Sequence, residues 1–388
     1  MYCKICGESN CKNHSFFLGK RISIKEFSGS TPPEIFVGKW NYPNVYTGIL
    51  SPQESGDTQI LSSPELWHNN KLPISEILKF RNKLIYGRKQ NSINHPSQNQ
   101  NNKFLSAMQE IAMTHKSIST EFKLKKPIIK NLEKESRVPL ISNAADVEKV
   151  RLQENPIIKP KINYLVNDDS AKSKTTILEL DRAGIETSSI IKILSAGLLG
   201  LKSNRKLVPT RWSISCVDSI LSEAKIEKIK EFPQISGYAV FHGEYVGNHY
   251  EILLIPGFWS FEVIERSMKE GGLWKDYESS FKRKAYASDV AGGYYAVRLP
   301  VTEYLESIRK QASVLVIREI HPEDYSPLGV GILRQINREA FKQIHRKFNS
   351  LKEAFEDIQT RLKLPVDYWI RESYLLKNLQ QTTLQKYF

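Results

Sequence analysis

His249-Tyr250-Glu251-Ile252-Leu253-Leu254-Ile255 reads as a strand inside a sheet, because a run so dense in aliphatic residues has no face left for water. Val314–Arg318 reads as a second core strand, and Tyr238–His242 with Tyr245 as a third strand beside the first. Helices are expected around this sheet at Thr176–Ala183, Ser188–Leu194, Val217–Lys228, Phe261–Lys269 and Tyr294–Gln311. Further on, Ile336, Phe341, Ile344, Phe348, Leu351, Phe355, Ile358 and Leu362 recur in steps of three to five, which predicts one long amphipathic helix ended by Pro365. Val366–Leu379 predicts one more helix. Strands and helices of this kind define the class as α+β.

Toward the N-terminus, Pro and Gly punctuate an aromatic stretch over Phe27–Val45, predicting short strands joined by tight turns. Residues 64–86 read as helical, interrupted at Pro73, and Phe104–Ala112 as a short helix. Ser119–Ile129 reads as a strand, whereas the Asn-, Gln- and Ser-rich residues from Lys89 to Asn102 read as a surface loop or linker. Prolines, charges and Asp168-Asp169 mark a second break. The expected organisation is a metal clip (1–20), a basic N-terminal domain (21–155), a linker (156–175), an α+β domain (176–334), C-terminal helices (335–380) and a tail (381–388).

The 388 residues carry 56 Lys and Arg against 42 Asp and Glu, a net charge of +14. The excess is uneven: residues 1–174 hold 26 basic and 16 acidic side chains, a net +10, and 175–334 hold 20 of each. A basic half points to a polyanion partner, since Lys and Arg at phosphates release counterions. No uncharged apolar run reaches a membrane span, and Ile190–Leu201 is broken by Lys192. With three of the four cysteines among the first eleven residues and no signal-peptide pattern, the expectation is a cytoplasmic protein, nucleoid-associated if it binds DNA.

Cys3-x₂-Cys6-x₄-Cys11-x₂-His14 presents two chelating pairs close enough for one tetrahedral ion. Thiolates and an imidazole favour a structural Zn²⁺. At the other end, Gln381, Leu384, Tyr387 and Phe388 fall at offsets 0, 3, 6 and 7, so one helical turn sets the last three side by side. This resembles the PIP box, Gln-x-x-aliphatic-x-x-aromatic-aromatic, by which replication and repair proteins bind the sliding clamp PCNA.

The chain has no Gly-x₄-Gly-Lys-Ser/Thr loop, Gly-x-Ser-x-Gly elbow or His-Glu-x-x-His helix. Its most suggestive polar residues are Arg211, Asp218, His249, Glu251, Glu262, Asp276, Glu278, Arg298, Arg318 and Glu319, several of them in apolar surroundings. Buried arginines are costly unless paired, so Arg298 and Arg318 mark either ion pairs in the core or, with Arg211, His249 and Glu251, a pocket for an anion or nucleic acid. Asp276-Tyr277-Glu278 ahead of Lys282-Arg283-Lys284 is a further candidate for a metal-dependent nuclease site. Phe36, Trp40 and Tyr42, beside Lys39, are candidates for stacking on exposed bases or for core packing.

Taken together, the Cys/His clip, Ser30–Gly38 with Tyr42-Pro43, Val208–Ile214, Ala291–Arg298, Pro327–Val330 and the closing tail resemble the archaeal Nre DNA-repair proteins over essentially the whole chain. The resemblance implies DNA-damage repair coupled to PCNA, with an N-terminal zinc element. Relatives commonly carry a fourth cysteine in the clip, where this chain has His14. No catalytic residue carries over. The functions this leaves are a clamp-tethered DNA-binding repair factor, a nuclease or nucleotide transferase or hydrolase working near Arg211, His249 and Arg298, and a scaffold bridging PCNA to other repair proteins.

Overall fold

A computed structural model describes residues 24–98, 101–128, 132–133, 138–269, 271–321 and 328–384. Cys3, Cys6, Cys11 and His14 of the proposed clip, and Tyr387 and Phe388 of the tail, lie outside them. The chain is α+β and forms two compact units. The first takes in the residues up to Leu221 and a short segment ending at Gly331; the second takes the remainder.

The first unit follows the order β1 (Glu26–Thr31), β2 (Ile35–Val37), β3 (Asn44–Ser51), α1 (Pro64–Asn69), α2 (Ile74–Lys83), β4 (Ile85–Ser92), α3 (His95–Gln98), α4 (Lys103–Met113), β5 (Ile118–Leu124), β6 (Leu132–Glu133), β7 (Ile141–Ser142) and β8 (Ala144–Leu152). Helices α5 (Pro160–Val166), α6 (Ser173–Arg182), α7 (Thr187–Ser195) and α8 (Thr210–Ile229) follow. Six strands form one sheet in the order β1-β5-β8-β4-β3-β2. The helical stretch is interrupted before Pro73 as expected, α1 ending at Asn69 and Pro73 preceding α2, but Leu84 and Ile85 already lead into a strand. The polar stretch after Lys89 is not all loop. Tyr86 to Ser92 runs along β3, and the buried Asn91 bonds Thr47 Oγ1 at 2.7 Å, so cross-strand partners absorb its polarity. Residues 156–175 carry α5, whose Ile162 and Leu165 are buried, and the two units divide between Leu221 and Ser222 within α8.

In the second unit come β9 (Tyr238–Tyr245), β10 (Asn248–Ile255), β11 (Ser260–Ser267), β12 (Leu273–Glu278), α9 (Gly292–Ser307), β13 (Ser313–Ile320), α10 (Val330–Ala340), β14 (Arg346–Phe348), α11 (Leu351–Gln359), α12 (Val366–Glu372) and α13 (Tyr374–Leu384). Their sheet runs β12-β11-β13-β10-β9-β14, with β10 antiparallel to both neighbours and β11 parallel to β13. Every residue of β10 is buried. Side chains alternate across a strand, so Leu253 and Ile255 face one side with Leu315, Ile317, Ile264 and Val240. Against them pack Phe355, Ile358, Leu362, Trp369, Leu375 and Leu376 from the C-terminal helices. The opposite face meets α9, whose Tyr294 ring stands edge-on to Phe261 at 5.1 Å.

Three expectations are corrected here. Phe261–Lys269 is largely the strand β11, because Val263 and Ile264 suit a pleated surface and the segment is paired on both edges. The single long helix over Ile336–Leu362 is two helices separated by β14. Ile344 is 99% exposed, Arg346–Phe348 pairs with β9, and Ser350 Oγ caps a new helix at the Glu353 amide, 3.2 Å away. The last helix is likewise split at Ser373. The buried Glu262 carboxylate accepts Ser373 Oγ at 2.5 Å and the Tyr374 and Leu375 amides at 2.8 and 3.0 Å, which caps α13 from the neighbouring sheet. Among the described residues no helix is long and apolar enough to cross a membrane.

Lys225 and Lys228, near the end of α8, bind Glu306 of α9 at 3.2 and 2.5 Å. Burial pushes the Glu306 carboxyl upward, but the two ammonium groups outweigh it and hold it below the ordinary glutamate value. Its stabilising effect is therefore complete above the unfolded value of about 4.3 and is lost as pH falls through the lower folded value. Glu306→Gln should cost about 1 kcal/mol at pH 7. Urea melts of both proteins should converge at acid pH, below the folded value.

Candidate functional site

In the first unit, the turn after β2 projects side chains away from the core. Asn41 takes a left-handed conformation (φ 63°) and its carbonyl accepts the Asn44 amide at 2.8 Å, which returns the chain into β3. Trp40 and Tyr42 are left 67% and 54% exposed, with Lys39 Nζ 4.3 Å above the Trp40 ring. A third aromatic arrives from α8. Thr210 Oγ1 accepts the Val37 amide at 2.9 Å, and Ser195 Oγ bonds Val208 O at 2.7 Å and lies 3.1 Å from Thr210 Oγ1. These bonds fix the first turn of α8 beside β2 and bring Trp212 to 5.7 Å from Tyr42, with Trp212 43% exposed. Arg211 lies half-buried next to it. Three exposed rings beside cationic side chains have the composition of a base-stacking platform. Phe36 does not belong to it: it sits opposite Gly48 in the β2–β3 ladder, buried edge-on against Tyr86 at 5.4 Å.

Two arginines singled out from the sequence in the second unit, Arg298 and Arg318, are held in ion pairs. Arg298 Nη1 binds Glu278 Oε2 at 2.7 Å and its Nε donates to Ser222 Oγ at 3.1 Å, while Glu278 Oε1 accepts the Trp259 indole at 3.2 Å. Burial opposes the charge on Arg298, but Glu278 more than compensates and raises its pKa. Arg318 Nη1 binds Glu265 at 2.8 Å, and its Nε and Nη2 donate to Asn248 Oδ1 at 3.2 and 2.5 Å. Asp276, expected with Glu278 as a metal-binding pair, accepts Arg283 Nη2 at 3.1 Å and the Asp289 and Val290 amides at 3.1 and 2.8 Å. Both carboxylates are thus engaged by protein donors.

His249 and Glu251 lie on the other face of the sheet from Arg318, whose register partner on β10 is Tyr250. Glu251 is fully buried and receives Arg361 Nε at 2.7 Å and Nη2 at 2.8 Å. His249 Nε2 lies 2.9 Å from Glu251 Oε1, and its Nδ1 lies 3.6 Å from Glu244 Oε2. His242, opposite Glu251 in the ladder, completes the group with its ring 5.3 Å from that of His249. Burial holds the His242 pKa below the ordinary histidine value. For His249 burial acts the same way, but the hydrogen bond and charge of Glu251, aided by Glu244 and Glu319, raise it. Within the second unit, register therefore puts His249 and Glu251 on one face of the sheet and Arg318 on the other, so these members of the expected pocket are not brought together; Arg211 lies in the first unit.

Sequence reasoning overlooked Trp212 as a ring partner and His242 and Glu244 as neighbours of His249. The available signal for the latter was a repeated His-x-Glu, 242–244 and 249–251, around the turn Val246-Gly247.

The chain is an α+β protein with a buried central strand, and comparison supplies its family. The models "Archaeal Nre, N-terminal" and "Archaeal Nre, C-terminal" match residues 2–275 and 278–387, so the chain belongs to the archaeal Nre family. It is 35% identical to DNA repair protein NreA of Archaeoglobus fulgidus over 92% of both chains. It is 32% identical to DNA repair protein NreB of the same organism over 95% of this chain and 94% of that one. To NreA of Haloferax volcanii it is 29% identical, over 91% and 87%. No solved structure matches it.

Replacing one member of a buried pair leaves the other charge uncompensated, so Glu278→Gln should destabilise the protein by about 3–5 kcal/mol. Chemical denaturation measures it. A cost under about 1 kcal/mol would mean that Arg298 does not depend on Glu278.

Proposed function

We propose that this protein acts in DNA repair, contacting DNA through its first unit and held on the PCNA sliding clamp by its C-terminal tail. The observation that carries the reading is the end-to-end relation to three proteins each named a DNA repair protein. The net +10 of residues 1–174 supports an electrostatic contact with phosphates. Part of that charge is already spent locally, since Lys123 pairs with Glu148 at 3.2 Å and Arg88 with Asp146 at 3.4 Å. A modest footprint of about three to five phosphates follows, with Trp40, Tyr42 and Trp212 adding stacking on unpaired bases. Zn²⁺ held by Cys3, Cys6, Cys11 and His14 would staple the N-terminus.

The tail reading rests on spacing. Helix α13 continues through Gln381 to Leu384, so the first half of the motif extends a helix that the second unit already anchors through Glu262. Tyr387 and Phe388 would bring the apolar area that docking needs. A clamp contact raises the effective concentration of the protein near DNA, up to about millimolar, which offsets a weak intrinsic affinity for the duplex.

Two measurements test this. Calorimetry against PCNA should show binding that is lost in Tyr387→Ala/Phe388→Ala with an unchanged circular dichroism spectrum; unaltered affinity would remove the tail from the interface. Fluorescence anisotropy with single-stranded DNA should give a log–log salt slope of about −2 to −4, from −0.7 per phosphate. In the same assay Trp40→Ala and Trp212→Ala should each weaken binding by about 1–3 kcal/mol. A flat salt response, or affinity indifferent to both tryptophans, would place the DNA contact elsewhere.

A further inference from the structure

The hairpin His242-Gly243-Glu244-Tyr245-Val246-Gly247-Asn248-His249-Tyr250-Glu251 concentrates chemistry that the repair reading does not use. Val246 and Gly247 both take left-handed conformations (φ 46° and 75°), the signature of the two-residue turn that matches strand twist. That turn sets the register, pairing His249 with Glu244 and Glu251 with His242. All four side chains therefore point to one face of the sheet. A one-residue slip would scatter them.

The hydrogen bonds decide which nitrogen of His249 carries a proton. Both oxygens of Glu251 already accept from Arg361, so this carboxylate is an acceptor and His249 Nε2 must be the donor at 2.9 Å. In the neutral ring Nδ1 is then a bare lone pair, and it faces another acceptor, Glu244 Oε2, at 3.6 Å. Two acceptors at this spacing favour a cation between them. A proton can serve, and so can a metal. Two ligands of one tetrahedral zinc stand roughly 3.3 Å apart, given bonds of about 2.0–2.1 Å, close to the spacing observed. A third ligand is at hand, since one ligand atom from each of His242, Glu244 and His249 lies within 4.8 Å of the others.

We propose that His242, Glu244 and His249 bind a divalent transition-metal ion, zinc being the best match to two imidazoles and a carboxylate. Glu251 is the positioning residue: it fixes the His249 tautomer through Nε2, and Arg361 fixes Glu251 in turn. Glu244, 55% exposed at its side chain, has the freedom to close the remaining distance. Three protein ligands leave the fourth tetrahedral position to water, the make-up of a reactive zinc site and not of a closed structural one.

The test is isothermal titration of the metal-stripped full-length protein with Zn²⁺, with bound zinc counted by elemental analysis. The wild type should bind one equivalent more than His242→Ala, and Glu244→Gln should weaken that equivalent at least tenfold. Glu251→Gln, which leaves Arg361 without its buried partner and is measured under conditions where circular dichroism shows it folded, should keep the stoichiometry but weaken the site by about 10–100-fold. Cys3→Ser/Cys6→Ser, which addresses the N-terminal clip, should leave this equivalent intact. His242 and Glu244 are surface-accessible, so their variants test the site without emptying the core. Equal zinc stoichiometry and affinity in the wild type, His242→Ala and Glu244→Gln would overturn the proposal and assign the cation between His249 and Glu244 to a proton.

Discussion

The pairing of Arg361 with Glu251 is the interaction on which the second unit depends. Glu251 lies in the middle of a strand buried from end to end, where an unpaired carboxylate is untenable. A guanidinium closing on both oxygens satisfies it, and that guanidinium arrives at the end of α11. Arg361 also binds Asp357 one turn earlier at 2.7 Å, so the helix end is itself held straight onto the sheet. Once α11 is fixed there, Phe355, Ile358 and Leu362 cover the apolar half of the same sheet face. Polar and apolar packing of the C-terminal helices are thus two ends of one arrangement.

The same logic recurs along the sheet. Glu319 accepts the Lys363 and Leu364 amides at 3.0 and 2.9 Å, and Glu262 caps α13. Buried acids on neighbouring strands receive the otherwise unpaired amides of the segments that cross over them. A helix end has amide groups with no partner of its own, and a carboxylate beneath it supplies one. The acids that look catalytic in the sequence mostly serve this purpose or neutralise Arg298 and Arg318. The cluster left over, on the β9–β10 hairpin, is the one in which two acceptors confront each other.

In the first unit the polar work is lighter and the exposed chemistry is aromatic. Glu34 joins Arg81 at 3.6 Å and Lys192 at 3.0 Å, holding helices against the sheet, while the turn of Trp40 and Tyr42 carries no strand pairing. Trp40, Tyr42 and Trp212 are exposed rings grouped beside Lys39 and Arg211. Their position at a turn and at a helix start, both fixed by hydroxyl bonds through Thr210 and Ser195, makes the platform pre-organised.

Much of the fold was legible in the sequence. Local patterns determined β9, β10, β13, α4, α6, α7 and most of α9, because each segment's apolar spacing agrees with its final partners. The family membership was legible too, carried by blocks spread over the whole chain. Periodicity misled at Phe261–Lys269 and Ile336–Leu362, where pairing with distant strands overrode local preference. Only the tertiary structure decided that Arg298 and Arg318 are neutralised within the core, that Phe36 is buried while Trp212 joins Tyr42, and that His242 and Glu244 stand with His249. The reason is common to all of them. Residue type states that a charge or a ring needs a partner, but the partner lies across a sheet ladder or far along the chain, as Trp212 lies from Tyr42, and only the tertiary fold brings the two together.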